Sequence, residues 1–434
     1  MDRPSSTNAK QIRIGIIMGG FSAERHISVE SGRNIYEKLA SSALYIPVPI
    51  FLSGTPKQHQ LFILPINMLL KDSADDIHAK LMQPPAAQQE AIIVPIRQEA
   101  AAITRKYVGK FITQRQAITY QALAQCVDGV FIALHGRPGE DGALQAILEQ
   151  HNIPYNGSGI ASTQLTIDKF KTNQFLRNQG IYVAEQMLVT QATWEKNQAT
   201  TIHTLERQFS YPFIAKPVDE GCSAAVVKIK NQAMLQAYAA ATFRAMPSPT
   251  AAQAQILGLK PNADFPQHER FLVEALVEQG NAQHFLEITG GLLTHLDEQG
   301  GRRYELFEPS EAIAAGEVLS LEEKFMAGEG QNITPGRFHP DPAINQSIAI
   351  QVKQTLEKVA SLLDIEGYAR IDAFVKVYSP THIETWIIEV NALPAMTPAT
   401  CIFHQCALNG YTPFDFIHAI IQYGLKKHRR HTST

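Results

Sequence analysis

The run Ile12 to Met18 (IRIGIIM), closed by Gly19-Gly20, constrains the fold of this chain more than any other stretch. A continuous apolar strand with no in-and-out alternation must be covered on both faces, the situation of a parallel strand in an α/β sheet. The glycines turn the chain at the strand's C-terminal edge. Ser28 to Leu39 then reads as a helix whose N-terminal amides face the mouth of the sheet. Val130 to Leu134 reads as a second buried strand opening into HGRPGEDG, where His135 and Glu140 sit at the edge at which such sheets place ligand groups. Asp141 is a candidate cap for the next helix, with Ala143, Leu144, Ile147 and Leu148 along one side.

Gly367 to Thr400 carries the densest chemistry. Two apolar runs, Tyr368 to Val377 and His382 to Val390, are joined by a turn at Ser379-Pro380 and read as a hairpin. Asp372 lies in the first run, with Glu389 and Asn391 at the end of the second. Their oxygens can converge at one end of the hairpin and hold a hard divalent ion such as Mg2+. The alternative is a hairpin whose acids face water. Arg370, two residues from Asp372 and so on its face, favours a charged, ligand-filled groove. After Asn391, Pro394 and Pro398 force a turn whose backbone N–H groups are free to bind an anion.

Between these ends lie candidates for phosphate binding. Asp168-Lys169 opens a helix ending at Gly180. Phe213 to Lys216 is a short strand followed by a small-residue loop containing Gly221, Cys222 and Ser223. Two lysines beside such a loop can neutralise a polyphosphate while the loop amides approach it. Arg270 to Leu276 reads as another strand, and Glu305 to Phe338 as an active-site loop. Ile344, Ile348, Val352, Leu356, Val359 and Leu363 form a core stripe on a helix from Pro342 to Leu363.

Composition narrows the partners. With 434 residues, 45% hydrophobic and 18% charged, there is material for two or three domains. A net charge of -3 gives no reason to expect nucleic acid or an anionic membrane. No apolar run approaches the roughly 20 residues of a membrane span, and MDRPSSTNAK lacks the apolar core of a signal peptide. Cys126, Cys222, Cys401 and Cys406 have no zinc or C-x-x-C spacing, as expected of reduced thiols in a cytoplasmic protein. The basic end from Lys426 reads as a solvated tail.

Taken together these motifs resemble the D-alanine:D-alanine ligases of the ATP-grasp superfamily, in order and over nearly the whole chain. The resemblance rests on Gly19-Gly20, Ser22, Glu24, Ile27, Ser28, Ser31 and Gly32, then on His135 to Glu149. It continues with Tyr155 to Gly159, Asp168-Lys169 and Lys216 to Ala225, and ends with Gly367 to Asp372 and Glu389 to Thr397. It implies a three-domain ATP-grasp fold of the α/β class. The first domain would run over 1–157, with an insertion at about 52–120. A central lid would run over 158–274, with a further insertion at 246–268, and a catalytic domain over 275–434.

The resemblance also implies site roles. Glu24 would hold the ammonium of a first D-alanine near His135 and Glu140. ATP would take Lys169, Lys216, Gly221, Cys222 and Ser223 at its phosphates, Glu274, Leu276 and Val277 at adenine, and His284 at ribose, with Glu287 as another candidate. Mg2+ or Mn2+ would sit on Asp372, Glu389 and Asn391. Arg370 and the N–H of Ala395 would steady the oxyanion, and Thr400 with Lys324 the second carboxylate. Cys222, Ala225, Phe325 and Ala395 stand where the family has serine, glycine, tyrosine and glycine. Phe325 suggests a mobile loop closing by apolar packing, and it resembles the relatives that join D-alanine to D-lactate. A third reading is a non-catalytic nucleotide-binding regulator. The family implies a homodimer, small-molecule substrates and a role in peptidoglycan precursor synthesis.

Overall fold

The structure is a computed structural model describing residues 10–56, 58–82, 95–96, 98–99, 102, 115–221, 224–260, 265–313, 332–398 and 400–431. The first sheet forms around β1 (Ile12–Gly19), in which Ile14, Ile16, Ile17 and Met18 are all at most 1% exposed. It pairs in parallel with β2 (Tyr45–Thr55) and, on its other side, with β5 (Gly129–Ile132). β3 (Gln58–Ile63) and β4 (Gln116–Ile118) extend the sheet antiparallel, in the order β4-β3-β2-β1-β5. The described part of the stretch between Leu44 and Gln125 thus adds strands and the helices Ile66–Lys71 and Ala74–Met82 to this sheet's domain. The helix after β1 begins at Arg25 and runs to Ala40, earlier than its apolar periodicity indicates. Asp141 lies one residue before the N-cap, Gly142, and its side chain accepts the N–H of Ala143.

A second, antiparallel sheet runs β6-β9-β7-β8, built from β6 (Gln186–Thr190), β7 (Phe213–Lys216), β8 (Val227–Ile229) and β9 (Arg270–Ala275). It has its own core, with Phe213, Tyr238 and Phe271 fully buried. The third sheet contains β10 (His284–Leu296), β11 (Arg302–Leu306), β12 (Ser310–Ala312), β13 (Asn332–Ile333), β14 (Tyr368–Ser379) and β15 (His382–Asn391). Its path is β13-β12-β10-β14-β15, with β11 also on β10. β12 and β13 thus lie inside the segment read as a loop from Glu305 to Phe338 and β11 overlaps its start, while residues 314–331, which include Lys324 and Phe325, lie outside the described residues. The helix Pro342–Leu362 starts on Asp341, whose carboxylate accepts the N–H groups of Ala343 and Ile344. It buries Ile348, Val352, Leu356 and Val359 against this sheet.

The basic end departs from the solvated tail expected of it. Lys426 to His431 belong to the helix Pro413–His431, and Lys427 Nζ lies 2.5 Å from Glu366 Oε2 with its side chain 14% exposed. Amphipathic stems let such lysines cover apolar surface while keeping an ion pair.

Candidate active site

The hairpin β14–β15 fixes the acidic end of the site. Asp372 pairs with Glu389 and Arg370 with Asn391, and directly paired residues share a sheet face. The next pair is Ala373 with Ile387, so Ile388 is the extra residue of a bulge. That single insertion turns Glu389 and Asn391 onto the face of Arg370 and Asp372, while Ile387 and Val390 stay in the core. Asp372 accepts from Thr289 Oγ1 at 2.6 Å and from Arg370 Nε at 3.2 Å. Burial opposes the charge on Arg370, but Asp372 beside it, with Glu389 further off, more than offsets this and raises its pKa.

Glu389 Oε2 lies 3.2 Å from Lys169 Nζ. Asn391 Oδ1 is buried and has no hydrogen-bond partner. Leaving such an oxygen unpaired costs about 1–3 kcal/mol, so it is arranged for something else. Two carboxylates and an amide oxygen on one face are the donor set of a hard cation, and these residues fit Mg2+ or Mn2+.

The first domain supplies the opposite wall. Glu24 is the N-cap of the helix Arg25–Ala40, and Glu140 lies in the loop after β5. Glu140 accepts the N–H of Gly136 at 2.6 Å and of Leu393 at 3.2 Å. Burial, and then the nearby Glu24 carboxylate, push its pKa up to about 8. His135 is buried, with Nδ1 3.0 Å from Leu393 O and Nε2 3.0 Å from Ser31 Oγ. Leu393 O can only accept, so the imidazole proton sits on Nδ1 and Nε2 accepts from Ser31 Oγ, which in turn accepts the N–H of Met396. Burial is the main reason its pKa falls to about 4, leaving it neutral near pH 7.

Two lysines come from different elements, Lys169 from a helix packed on the third sheet and Lys216 from β7 of the second. Asp168 caps the helix Lys169–Asn178, and Lys169 Nζ donates to Glu220 O at 2.5 Å. Lys216 Nζ lies 2.9 Å from Glu274 Oε1, both buried, and Gln186 Nε2 donates to Glu274 Oε2 at 2.6 Å. Leu276 and Val277 follow β9 and are partly buried. Glu24, Glu140, Lys169, Gly221, Arg370, Glu389 and Asn391 line one cavity between the first domain, the lid and the third sheet.

His284, Ala395 and Thr400 do not line this cavity. His284 alternates with Leu286 and Ile288, on the face of β10 that packs on the helix Pro342–Leu362, and its ring lies edge-on to His339. Glu287, opposite Phe374, shares the Asp372 face, so strand parity favours Glu287 over His284 for a ligand in the groove. Thr400 is buried as the N-cap of the helix Cys401–Leu408. Ala395 is buried, and its φ is not among the positive ones, so the missing glycine costs nothing there. Cys222 and Ser223 lie outside the described residues.

Some contributors carried no motif of their own. Asn34 Nδ2 donates to Met396 O at 2.8 Å from the same helix as Ser31. Their i, i+3 spacing on the buried side of that helix was the available signal. Thr289 was visible only as a polar residue in an apolar strand.

Comparison with known proteins agrees with this architecture. The family model "D-ala D-ala ligase N-terminus" matches residues 13–158, and "D-ala D-ala ligase C-terminus" matches 175–247 and 266–422. The chain belongs to the D-alanine–D-alanine ligase family. It is therefore an ATP-dependent ligase with the three-domain ATP-grasp fold. The D-alanine–D-alanine ligase of Chlorobaculum tepidum is 26% identical over 95% of this chain and 97% of that protein. D-alanine–D-alanine ligase A of Chromobacterium violaceum is 26% identical over 96% of each. Among solved structures, the D-alanine-D-alanine ligase of Coxiella burnetii superposes with a TM-score of 0.62 at 19% identity, covering 98% of this chain and 97% of that one. The VanG D-Ala:D-Ser ligase of Enterococcus faecalis gives 0.63 at 20% identity, covering 96% and 100%. Among the described residues no helix is long and apolar enough to cross a membrane.

Proposed function

We propose that this ligase forms D-alanyl-D-alanine through a D-alanyl phosphate, supplying peptidoglycan precursor synthesis in the cytoplasm. The observation that carries this reading is one cavity lined by an ammonium acceptor (Glu24), two cations (Lys169 and Arg370) and a hard-oxygen set with an unpartnered amide (Glu389 and Asn391). Lys169, Lys216 and the loop through Gly221 bind the phosphates of ATP, and Glu24 orients the first D-alanine by its ammonium. Its carboxylate takes the γ-phosphoryl group, and ADP leaves. The amine of the second D-alanine then attacks the acyl carbon, and inorganic phosphate departs as the amide forms. Arg370 and the N–H of Ala395 stabilise the oxyanion between these steps. Asp372, Glu389 and Asn391 would hold Mg2+ or Mn2+, whose charge would be supplied to the phosphate oxygens. Thr400, with Lys324, takes the second carboxylate.

The test is phosphate release by the purified protein with ATP, Mg2+ and D-alanine, with and without D-lactate, products identified by mass. D-alanyl-D-alanine as sole product is expected. A D-alanyl-D-lactate product would instead follow from Phe325 standing in place of tyrosine. Nucleotide binding with no turnover would replace both readings by that of a regulator.

A further inference from the structure

Three consecutive residues after β7 meet side chains of other elements. Asp219 Oδ2 accepts from Arg137 Nη2 at 2.7 Å. The carbonyl of Glu220 accepts from Lys169 Nζ at 2.5 Å. Gly221 lies so close to Glu24 that a Cβ built on it falls 2.6 Å from Glu24 Oε2. The cavity beside them measures about 50 Å3, below the ~300 Å3 at which ligand pockets begin. With this run against Glu24, the space left there is smaller than a substrate pocket.

Arg137 and Glu24 both belong to the first domain, whereas Asp219 belongs to the lid. Arg270 Nη2 stands 3.6 Å from the same Asp219 oxygen, and His268 Nδ1 3.9 Å from the other. Asp219, Glu220 and His268 could converge on a cation. However, two guanidinium groups already compensate Asp219, which makes it an anchor for the loop. The Arg137 side chain is 40% exposed, so the pair is weak enough to open and close reversibly.

We propose that Arg137 and Asp219 are positioning residues forming a latch that holds residues 217–221 over the amino-acid site at Glu24. Closing the latch couples the two substrates: whatever holds the loop down for ATP also completes the wall around the amino acid, and the reverse holds by linkage. The identity of that amino acid rests on the proposed function; the latch itself does not.

The experiment compares the full-length wild type with Arg137→Gln, Arg137→Lys and Asp219→Asn. Hydrogen–deuterium exchange of the ligand-free proteins is read over 217–221, and KM and kcat for ATP and D-alanine are read by phosphate release. Expected are faster exchange in 217–221 for Arg137→Gln and Asp219→Asn, and KM values for both substrates raised up to about fivefold, with kcat changed less. Arg137→Lys restores both readouts in large part. Unchanged exchange overturns the latch. Faster exchange with unmoved KM values overturns the coupling and leaves a purely structural pair. Should the wild type not use D-alanine at all, the functional reading fails, while the exchange result still decides the latch.

Discussion

Ala225 shows how one side chain can carry strain for a loop. Its φ is +52°, in the left-handed region, while its carbonyl accepts from Tyr238 Oη at 2.9 Å. A Cβ in that region costs roughly 1–2 kcal/mol, and the family's glycine at this position avoids that cost. Ala225→Gly is expected to gain about 0.5–1 kcal/mol, part of the relief being offset by a freer unfolded chain. Urea unfolding with m unchanged measures it, and a loss of stability would show that the methyl's packing outweighs the strain. His135 and Glu140 shape stability against pH from opposite sides. His135 falls from 6.5 to about 4 on folding, so its contribution is complete above 6.5 and lost as pH drops towards 4. Glu140 rises from 4.5 to about 8, so its contribution is complete below 4.5 and lost as pH climbs to 8. The two oppose each other between 4.5 and 6.5, and only the Glu140 slope remains above that. The melting temperature is expected to fall between pH 6.5 and 8, and Glu140→Gln to flatten that limb. An equally steep limb in the variant would place the titrating group elsewhere.

At the scale of elements, the turn after β15 is held by a helix from the opposite end of the chain. Ser31 and Asn34 take both the N–H and the carbonyl of Met396, and Ser31 also serves His135. Ser31→Ala leaves Met396 N–H and His135 Nε2 without partners, at about 1–3 kcal/mol of stability. Denaturant midpoints for this variant test the figure, and a shift under about 0.5 kcal/mol would mean that the turn is held by its other contacts. Such ties mark where the sequence stopped being legible. β1, the hairpin and the stripe on Pro342–Leu362 were readable because each depends on its own periodicity. Which face His284 or Glu287 occupies depends on register with β14, and which way Glu389 turns depends on a one-residue bulge. Neither is written in local spacing. The docking of Lys427 on Glu366 likewise needs a partner some sixty residues away, so a basic run read alone looks solvated. Arg137 and Asp219 sit at positions that the motifs leave unspecified, and only the fold brings them together.

Across the whole molecule, the cores are divided differently from the sheets. The first sheet's core is continuous with Tyr368, Leu393, Met396 and Ile402 and with the helix Pro413–His431 through Phe416, Ile417, Ile420, Ile421 and Leu425. The second sheet's buried core runs from Val189 to Val273, whereas Leu176, Ile181 and Val183, within the expected lid, are buried in the third sheet's core. Each of those five helix side chains is worth about 1.5–3 kcal/mol when buried, together on the order of 10 kcal/mol. A domain's whole stability is about 5–15 kcal/mol. A chain ending at Tyr411 is therefore expected to lose the first sheet's native packing although none of its strands has been touched. In contrast, a fragment spanning 181–277 should keep a cooperative transition of its own. Near-UV circular dichroism and thermal unfolding of the two pieces decide the matter. If the truncated chain melts cooperatively, the first domain folds without its C-terminal helix. If the lid fragment is unfolded, its contacts with the groove are needed for its fold. The expected pattern would make the second sheet with its helices, rather than the whole of 158–274, a body able to move without breaking a core, the freedom that a latch at Arg137 and Asp219 requires.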